Sequence, residues 1–271
     1  MFSPFRALGR LIVYIGWTLL LMPVQALSLL LNLPLAKRLP RIYHRNCCRI
    51  MALELVVQGR QETGPSTLFV ANHTSYLDIS VLGAAVAGSF VAKAEVSGWP
   101  LFGWLAKLQR TVFVDRRISA TATQRDEIGS RLDAGDSLIL FPEGTSGDGN
   151  RILPFKSALF SVAQIEVEGR PITVQPVSVA YTKLEGLPMG RALRPFFAWY
   201  GDMEMGGHIW RMLGLGGFTV VVTFHEPVTI AEFGSRKELA AHCRTVIAAG
   251  LAAALSGRAL PAPQPTASAP A

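Results

Sequence analysis

From Leu11 to Ala36 the sequence has no charged residue at all. That excludes an ordinary solvated surface helix there, because such helices carry a charged or polar face. The stretch "LIVYIGWTLLLMPVQALSLLLNLPLA" exceeds the roughly 20 apolar residues needed to cross a bilayer. Pro23 and Pro34 interrupt it, so one helix kinked at Pro23 and two short helices dipping into one leaflet both fit. A signal peptide cut after "VQA" is a third reading, but the apolar run continues well past Ala26 and favours a retained anchor. Charge is scarce overall: 17% of 271 residues are charged and 50% are hydrophobic, a balance that leans toward membrane contact. Cysteine is scarcer still, with only Cys47, Cys48 and Cys243. Adjacent cysteines bridge poorly and an odd total supports no disulfide framework, so a reducing compartment is expected. Without a C-x-x-C pair, a structural zinc site is not expected. No G-K-[S/T] follows the glycines near residue 144, which excludes a Walker phosphate loop. Ser146 lies in "GTSG" rather than a G-x-S-x-G elbow, which disfavours a serine hydrolase.

What is present begins with a net charge of +7 and a basic cluster, Lys37, Arg38, Arg41, Arg45 and Arg49, directly after the apolar segment. The positive-inside rule then puts the main domain on the cytoplasmic side of a membrane. Basicity also suits nucleic acid, but these cations are not interleaved with aromatics, and no nucleic-acid partner is expected. Strands are expected at 53–59, 66–72, 88–96, 111–116, 137–144, 172–182 and 217–228. Helices are expected at 74–87, 100–108, 121–135, 156–167 and 236–255. This alternation gives an α/β class with a mostly parallel sheet flanked by helices, preceded by an N-terminal hydrophobic membrane-anchoring helix or helix pair. The expected division is residues 1–50 as anchor and basic linker, 51–257 as the α/β domain, and 258–271 as a disordered Ala/Pro tail.

Three stretches have residues suited to chemistry. In "NHTSYLD", His73 and Asp78 are five residues apart, ~140° around a continuous helix, so they cannot share one helical face. They meet only if His73 precedes the helix and Asp78 lies in its first turn. Ser75 is a suitable N-cap, and Ser75-x-x-Asp78 also reads as a plain capping box. A catalytic pair and a helix start are both open on spacing alone. In "LFPEGTSGDGN" a buried strand runs into a glycine-rich loop, where α/β sheets bind ligands and where backbone N–H groups approach anions. Asp148-Gly149-Asn150 is too short for a calcium loop. In "AKAEVSGWPLFGWLAKLQRTVFVDRR", Lys93, Arg110, Arg116 and Arg117 surround apolar residues. They can serve as anionic head-group contacts or as solvated element ends.

Taken together, "NHTSYLD", "TVFVDR", "LFPEGTS" and "VQPVSV", in this order behind an apolar N-terminus, resemble the glycerolipid acyltransferase family over roughly residues 53–230. The resemblance implies His73 as general base and Asp78 as its orienting acid. It implies acceptor or anion contacts from Arg116, from Glu143, Gly144 and Thr145 of the F-P-E-G-T loop, and from Lys156; Lys93 and Arg151 are further candidates. Lysophosphatidate acyltransferases usually read F-P-E-G-T-R-S. Here Ser146 follows Thr145 directly and the next arginine is Arg151. A doubly charged phosphate monoester suits bidentate arginine, so a weaker basic site suits a less charged acceptor. The runs around these motifs resemble the lyso-ornithine lipid O-acyltransferase branch. That branch implies transfer of a fatty acyl group to a lysolipid hydroxyl from an acyl carrier protein or coenzyme A thioester. It implies no metal or redox cofactor, contact with membrane lipids, and residence on the cytoplasmic face of a bacterial inner membrane. Acylation of lysophosphatidate, alone or as a second activity, is the alternative. An acyl ester or thioester hydrolase and a non-enzymatic membrane-binding protein are the remote ones.

Overall fold

The run "TLFVA" has no polar face, so it belongs where both sides of a sheet are covered. It forms a wholly buried strand at the centre of the fold. The computed structural model of the chain describes residues 2–114 and 122–258, the side chains of 122–126 excepted. The long strands are β1 (Leu53–Gln58), β2 (Thr67–Ala71), β3 (Gly88–Lys93), β4 (Val112–Val114), β5 (Ser137–Leu140), β6 (Thr173–Leu184) and β7 (Phe218–Phe224). They lie side by side in the order β1–β7–β6–β2–β5–β3–β4. Every neighbouring pair is parallel except β7 on β6. The expected α/β class with a mostly parallel sheet is therefore what forms.

The helices are α1 (Pro4–Leu30), α2 (Leu35–Ile50), α3 (Leu77–Ala85), α4 (Phe102–Leu108), α5 (Ala122–Asp133), α6 (Met205–Gly214) and α7 (Arg236–Ser256). The two-residue period of the strands sorts their side chains into two cores. Phe69, Ala71, Val177, Val179 and Tyr181 pack with Cys47 and Cys48 of α2, Leu77 and Val81 of α3, and Met212 of α6. Leu68, Val70, Leu138 and Val174 pack with Ile128 and Leu132 of α5 and with Leu239, Cys243 and Ile247 of α7. The three cysteines are free and buried, and they act as small apolar residues.

Several local readings change. The segment 37–49, expected as a basic linker, is most of α2. Its Ala36, Leu39, Cys47 and Cys48 are buried at helical spacing while the arginines face outward or cap neighbours. Pro23 does not divide the apolar segment; α1 runs through it and ends before Pro34. The span 156–167 is a 3₁₀ stretch, Ser157–Gln164, followed by a short ribbon, rather than an α-helix. The expected strand at 88–96 ends at Lys93 and turns into a 3₁₀ segment. α6 was not foreseen. Arg116, Arg117 and the Ala/Pro tail from Ala259 lie outside the described residues.

α1 is turned inside out. Its buried residues, Ala7, Thr18, Gln25 and Ser28, recur at eleven-, seven- and three-residue spacing and face the protein. Thr18 bonds Tyr43, Trp17 Nε1 donates to the Tyr43 carbonyl, and Gln25 Nε2 donates to the carbonyls of Ala36 and Leu108. Phe5, Ile12, Leu19, Leu20, Leu27 and Leu30 face away from the protein, each more than half exposed.

Candidate active site

The pair foreseen in "NHTSYLD" forms at the carboxyl end of β2. Asn72, just past the strand, continues the sheet with its side chain. Its Nδ2 donates to the Val179 carbonyl at 3.0 Å and its Oδ1 accepts the Val179 N–H at 2.8 Å. This holds the next residue, His73, at the sheet edge. His73 Nδ1 lies 2.9 Å from Asp78 Oδ2. An ionised carboxylate only accepts, so Nδ1 carries the proton and the Nε2 lone pair is left for chemistry. The imidazole keeps 22% of its surface exposed, whereas Asp78 is fully enclosed. The ring stacks on Phe141 with centroids 4.2 Å apart, and Phe141 in turn stacks on Phe90.

Asp78 is tied down by neutral donors. Its Oδ2 accepts the N–H groups of Thr74 (2.6 Å) and Ser75 (2.9 Å), and its Oδ1 accepts the Tyr181 hydroxyl at 2.7 Å. This corrects the expected helix cap. Ser75 Oγ is buried and without a partner, Tyr76 occupies the cap position, and α3 starts at Leu77. Asp78 still makes its half of the expected capping box by accepting the Ser75 N–H, it adds the Thr74 N–H, and the same reach aims it at His73. Tyr181 was missed by sequence reading. The signal was available in "VSVAYT", where strand alternation puts Val177, Val179 and Tyr181 on the face that His73 and Asp78 share.

The glycine-rich loop lies over this pair. Gly147 N donates to the His73 carbonyl at 2.9 Å, and Trp199 N donates to the Thr74 carbonyl at 3.0 Å. Ser146 Oγ donates to the Trp199 carbonyl, which ties loop and crossing segment together. Glu143 is buried and does not face solvent. Its Oε1 accepts the His73 N–H at 2.8 Å and its Oε2 accepts the Leu153 N–H at 2.8 Å. It clasps the loop to the histidine's backbone. Burial pushes its carboxyl up to about 7, against the pull of those two N–H groups. Gly144 has φ +66, and a Cβ there would come within 2.7 Å of Lys156 Nζ, so the lysine lies along a surface only glycine leaves open.

Thr145, Arg151 and Lys156 are exposed around this loop, and Lys93 ends β3 half-buried on the same carboxyl edge of the sheet. Arg116 lies outside the described residues. One basic residue near the loop was not foreseen: Arg194 Nη1 donates to Asn150 Oδ1 at 3.1 Å, and its Nε is buried without a partner. No sequence motif marks it, because it comes from the segment after β6. Tyr76 also enters the neighbourhood: its hydroxyl is 3.0 Å from His208 Nδ1, whose Nε2 is 3.0 Å from the Phe196 carbonyl. That carbonyl only accepts, so Nε2 carries the proton and Tyr76 is the donor to Nδ1. His208 is thereby a structural tie between α6 and α3.

Comparison with known proteins identifies the family. The acyltransferase family model matches residues 54–180. A protein of Brucella abortus named lyso-ornithine lipid O-acyltransferase is 43% identical over 251 residues, covering 91% of this chain and 94% of that protein. A 1-acyl-sn-glycerol-3-phosphate acyltransferase of Neisseria gonorrhoeae is 32% identical over 163 residues, 58% of each chain. The crystal structure of the 1-acyl-sn-glycerophosphate acyltransferase from Thermotoga maritima superposes with a TM-score of 0.56 at 24% identity. It covers 83% of this chain and 81% of that one, so the fold is shared. With the motif order, the fold and these relatives in agreement, the chain is an enzyme of the glycerolipid acyltransferase family.

Proposed function

We propose that the chain transfers a fatty acyl group from an acyl thioester to the free hydroxyl of lyso-ornithine lipid, with His73 as general base. The observation that carries this reading is the 2.9 Å contact between His73 Nδ1 and an enclosed, fully partnered Asp78. Nε2 takes the proton of the acceptor hydroxyl as its oxygen attacks the thioester carbonyl carbon. The carbonyl oxygen takes up negative charge, and Asp78 stabilises the imidazolium. Collapse of the tetrahedral intermediate breaks the carbon–sulfur bond, and the proton on Nε2 goes to the departing thiolate. No serine or cysteine nucleophile is needed.

Acceptor choice follows from charge. The loop lacks an arginine after Thr145, and the exposed Arg151 and Lys156 with the partly buried Arg194 form a looser basic surround. That suits an acceptor with one carboxylate balanced by an ammonium better than a phosphate monoester. The relatives of high coverage named for lyso-ornithine lipid support the same choice. The donor is an acyl carrier protein or coenzyme A thioester, and the basic surface suits an acidic carrier.

Membrane attachment is read from α1. Each of its outward leucines gains about 1.5–3 kcal/mol on leaving water, and its polar residues are already satisfied on the inner side. Such a helix lies along the bilayer surface with its outer face in lipid, residues 1–50 serving as the anchor. The body then sits on the cytoplasmic side, as the basic α2 requires.

The test is purified enzyme offered acyl-carrier-protein or coenzyme A thioester with lyso-ornithine lipid and lysophosphatidate in parallel. Ornithine lipid should form faster. Exclusive acylation of lysophosphatidate overturns the acceptor assignment, and acyl release without any acceptor reveals a hydrolase.

A further inference from the structure

At the amino ends of β3 and β5, across the sheet from His73, lies a cavity of about 230 Å³. Its wall includes Lys37, Arg38 and Arg41 of α2, together with Arg110 and Asp136. Asp136 is a buried carboxylate with more cations than it can neutralise. Lys37 Nζ lies 2.8 Å from Oδ1, while Arg110 Nη2 and Arg131 Nε each lie 2.7 Å from Oδ2. Arg41 turns its guanidinium to the Ala84 and Ala85 carbonyls, leaving its charge beside the same cavity. One carboxylate thus faces four cations in the wall, Lys37, Arg38, Arg41 and Arg110, with Arg131 behind them. An anion in the cavity would relieve their mutual repulsion. Arg110 holds φ +61 as the left-handed residue that closes α4, where Thr111 N donates to the Ala106 carbonyl, and this turn sets its side chain toward Asp136.

The cavity's position says which anion. Gln25 of α1 bonds the carbonyls of Ala36, which lines the cavity, and of Leu108, so α1 is tied to the two segments that carry Lys37 and Arg110. Leu30, Leu31, Leu33 and Leu35 are all exposed immediately before Lys37. Trp104 of α4, the helix that leads into Arg110, is 68% exposed, and indole rings favour the head-group layer of a bilayer. An apolar surface that runs into a cationic pocket matches a molecule with acyl chains joined to a phosphate.

We propose that this pocket binds the phosphate of a membrane phospholipid, at a site separate from the acyl-transfer centre. The phosphate chemistry stands on the cation cluster; the lipid as its source rests on the reading of α1 as a membrane-surface helix. Arg38 and Lys37 are exposed, so Arg38→Gln and the double variant Lys37→Gln/Arg38→Gln probe the pocket without opening the core.

The experiment titrates full-length protein in nonionic detergent with three probes by calorimetry. These are dihexanoyl phosphatidylglycerol below its micelle concentration, inorganic phosphate, and dihexanoylglycerol, which lacks phosphate. Phosphatidylglycerol should bind saturably, at least ten-fold tighter than inorganic phosphate and in competition with it. The double variant should lose at least ten-fold in affinity while its acyl transfer to a dispersed acceptor stays within two-fold. Equal binding by wild type and double variant overturns the site. Inorganic phosphate binding as tightly as the lipid overturns the lipid source, and dihexanoylglycerol binding as well as phosphatidylglycerol overturns the phosphate chemistry. These outcomes are independent of which lysolipid the active centre accepts.

Discussion

Asp78 and Asp136 are both buried carboxylates, one at each end of the same sheet, and their surroundings are opposite. Asp78 is held by two backbone N–H groups, a tyrosine hydroxyl and a neutral imidazole. Asp136 is held by a lysine and two arginines. Neutral dipoles fix the position of a carboxylate and leave its full negative charge for the one partner that becomes positive, the imidazolium of His73. Three cations do the reverse: they use up the charge locally and lower the carboxyl below its usual 3.8. The same residue type orients a base at one edge and clamps α2 to α5 and to the turn after α4 at the other.

The sharpest break of this comparison is Asp78→Asn. An amide has no charge to stabilise the imidazolium and permits the wrong imidazole tautomer, so turnover should fall by about 10³–10⁴-fold. Steady-state rates on folded protein, verified by circular dichroism, decide this. Asp136→Asn should change stability instead. Leaving the mostly buried Arg110 and Arg131 without their carboxylate costs on the order of 3 kcal/mol, read as denaturant midpoint, while turnover at permissive temperature stays near wild type. The sign with pH follows. Because the folded carboxyl titrates below its usual 3.8, the wild-type stabilisation is present above about pH 4 and lost as pH falls below it. The variant should lack that acid-side loss.

Smaller effects sharpen the Asp78 side. Tyr181→Phe leaves buried Oδ1 without its donor, at a cost of about 1–3 kcal/mol. A less satisfied carboxylate holds the imidazolium more strongly, so the acidic limb of kcat/KM should move to higher pH. A purely structural tyrosine would lower stability and leave that limb in place. Ser75→Ala should change stability by less than about 0.5 kcal/mol, because the hydroxyl bonds nothing. A loss near 1 kcal/mol, the usual value of a cap, would restore the capping reading.

Helix geometry alone put His73 ahead of the helix and Asp78 inside its first turn, and that much was legible. The Ser75 half of the capping box was misread: Ser75 Oγ is buried and takes none of the first-turn N–H groups, while Asp78 takes those of Thr74 and Ser75. α2 was hidden by its arginines and by Pro40: high charge reads as a linker unless the burial of Ala36, Leu39, Cys47 and Cys48 is seen. Tyr181 lies 103 residues from Asp78, and only strand pairing brings them together. The antiparallel placement of β7 against β6 was equally invisible, since a doubly buried strand reads the same in either direction. Glu143 was expected among acceptor contacts from the resemblance of its F-P-E-G-T motif to the acyltransferase family; in the fold both its oxygens are occupied by backbone N–H groups.

The inner stripe of α1 has a consequence for how the protein is made. A ribosome delivers this helix before its polar partners. Trp17 waits for Tyr43, Gln25 for Leu108, and Arg10 for the carbonyls of Leu213 and Leu215, more than 200 residues on. At 5–20 residues per second that is roughly 10–40 s of synthesis. With α1 on the bilayer as proposed, the helix has lipid on one side and unmet hydrogen bonds on the other during this interval, and the membrane would be its first binding partner.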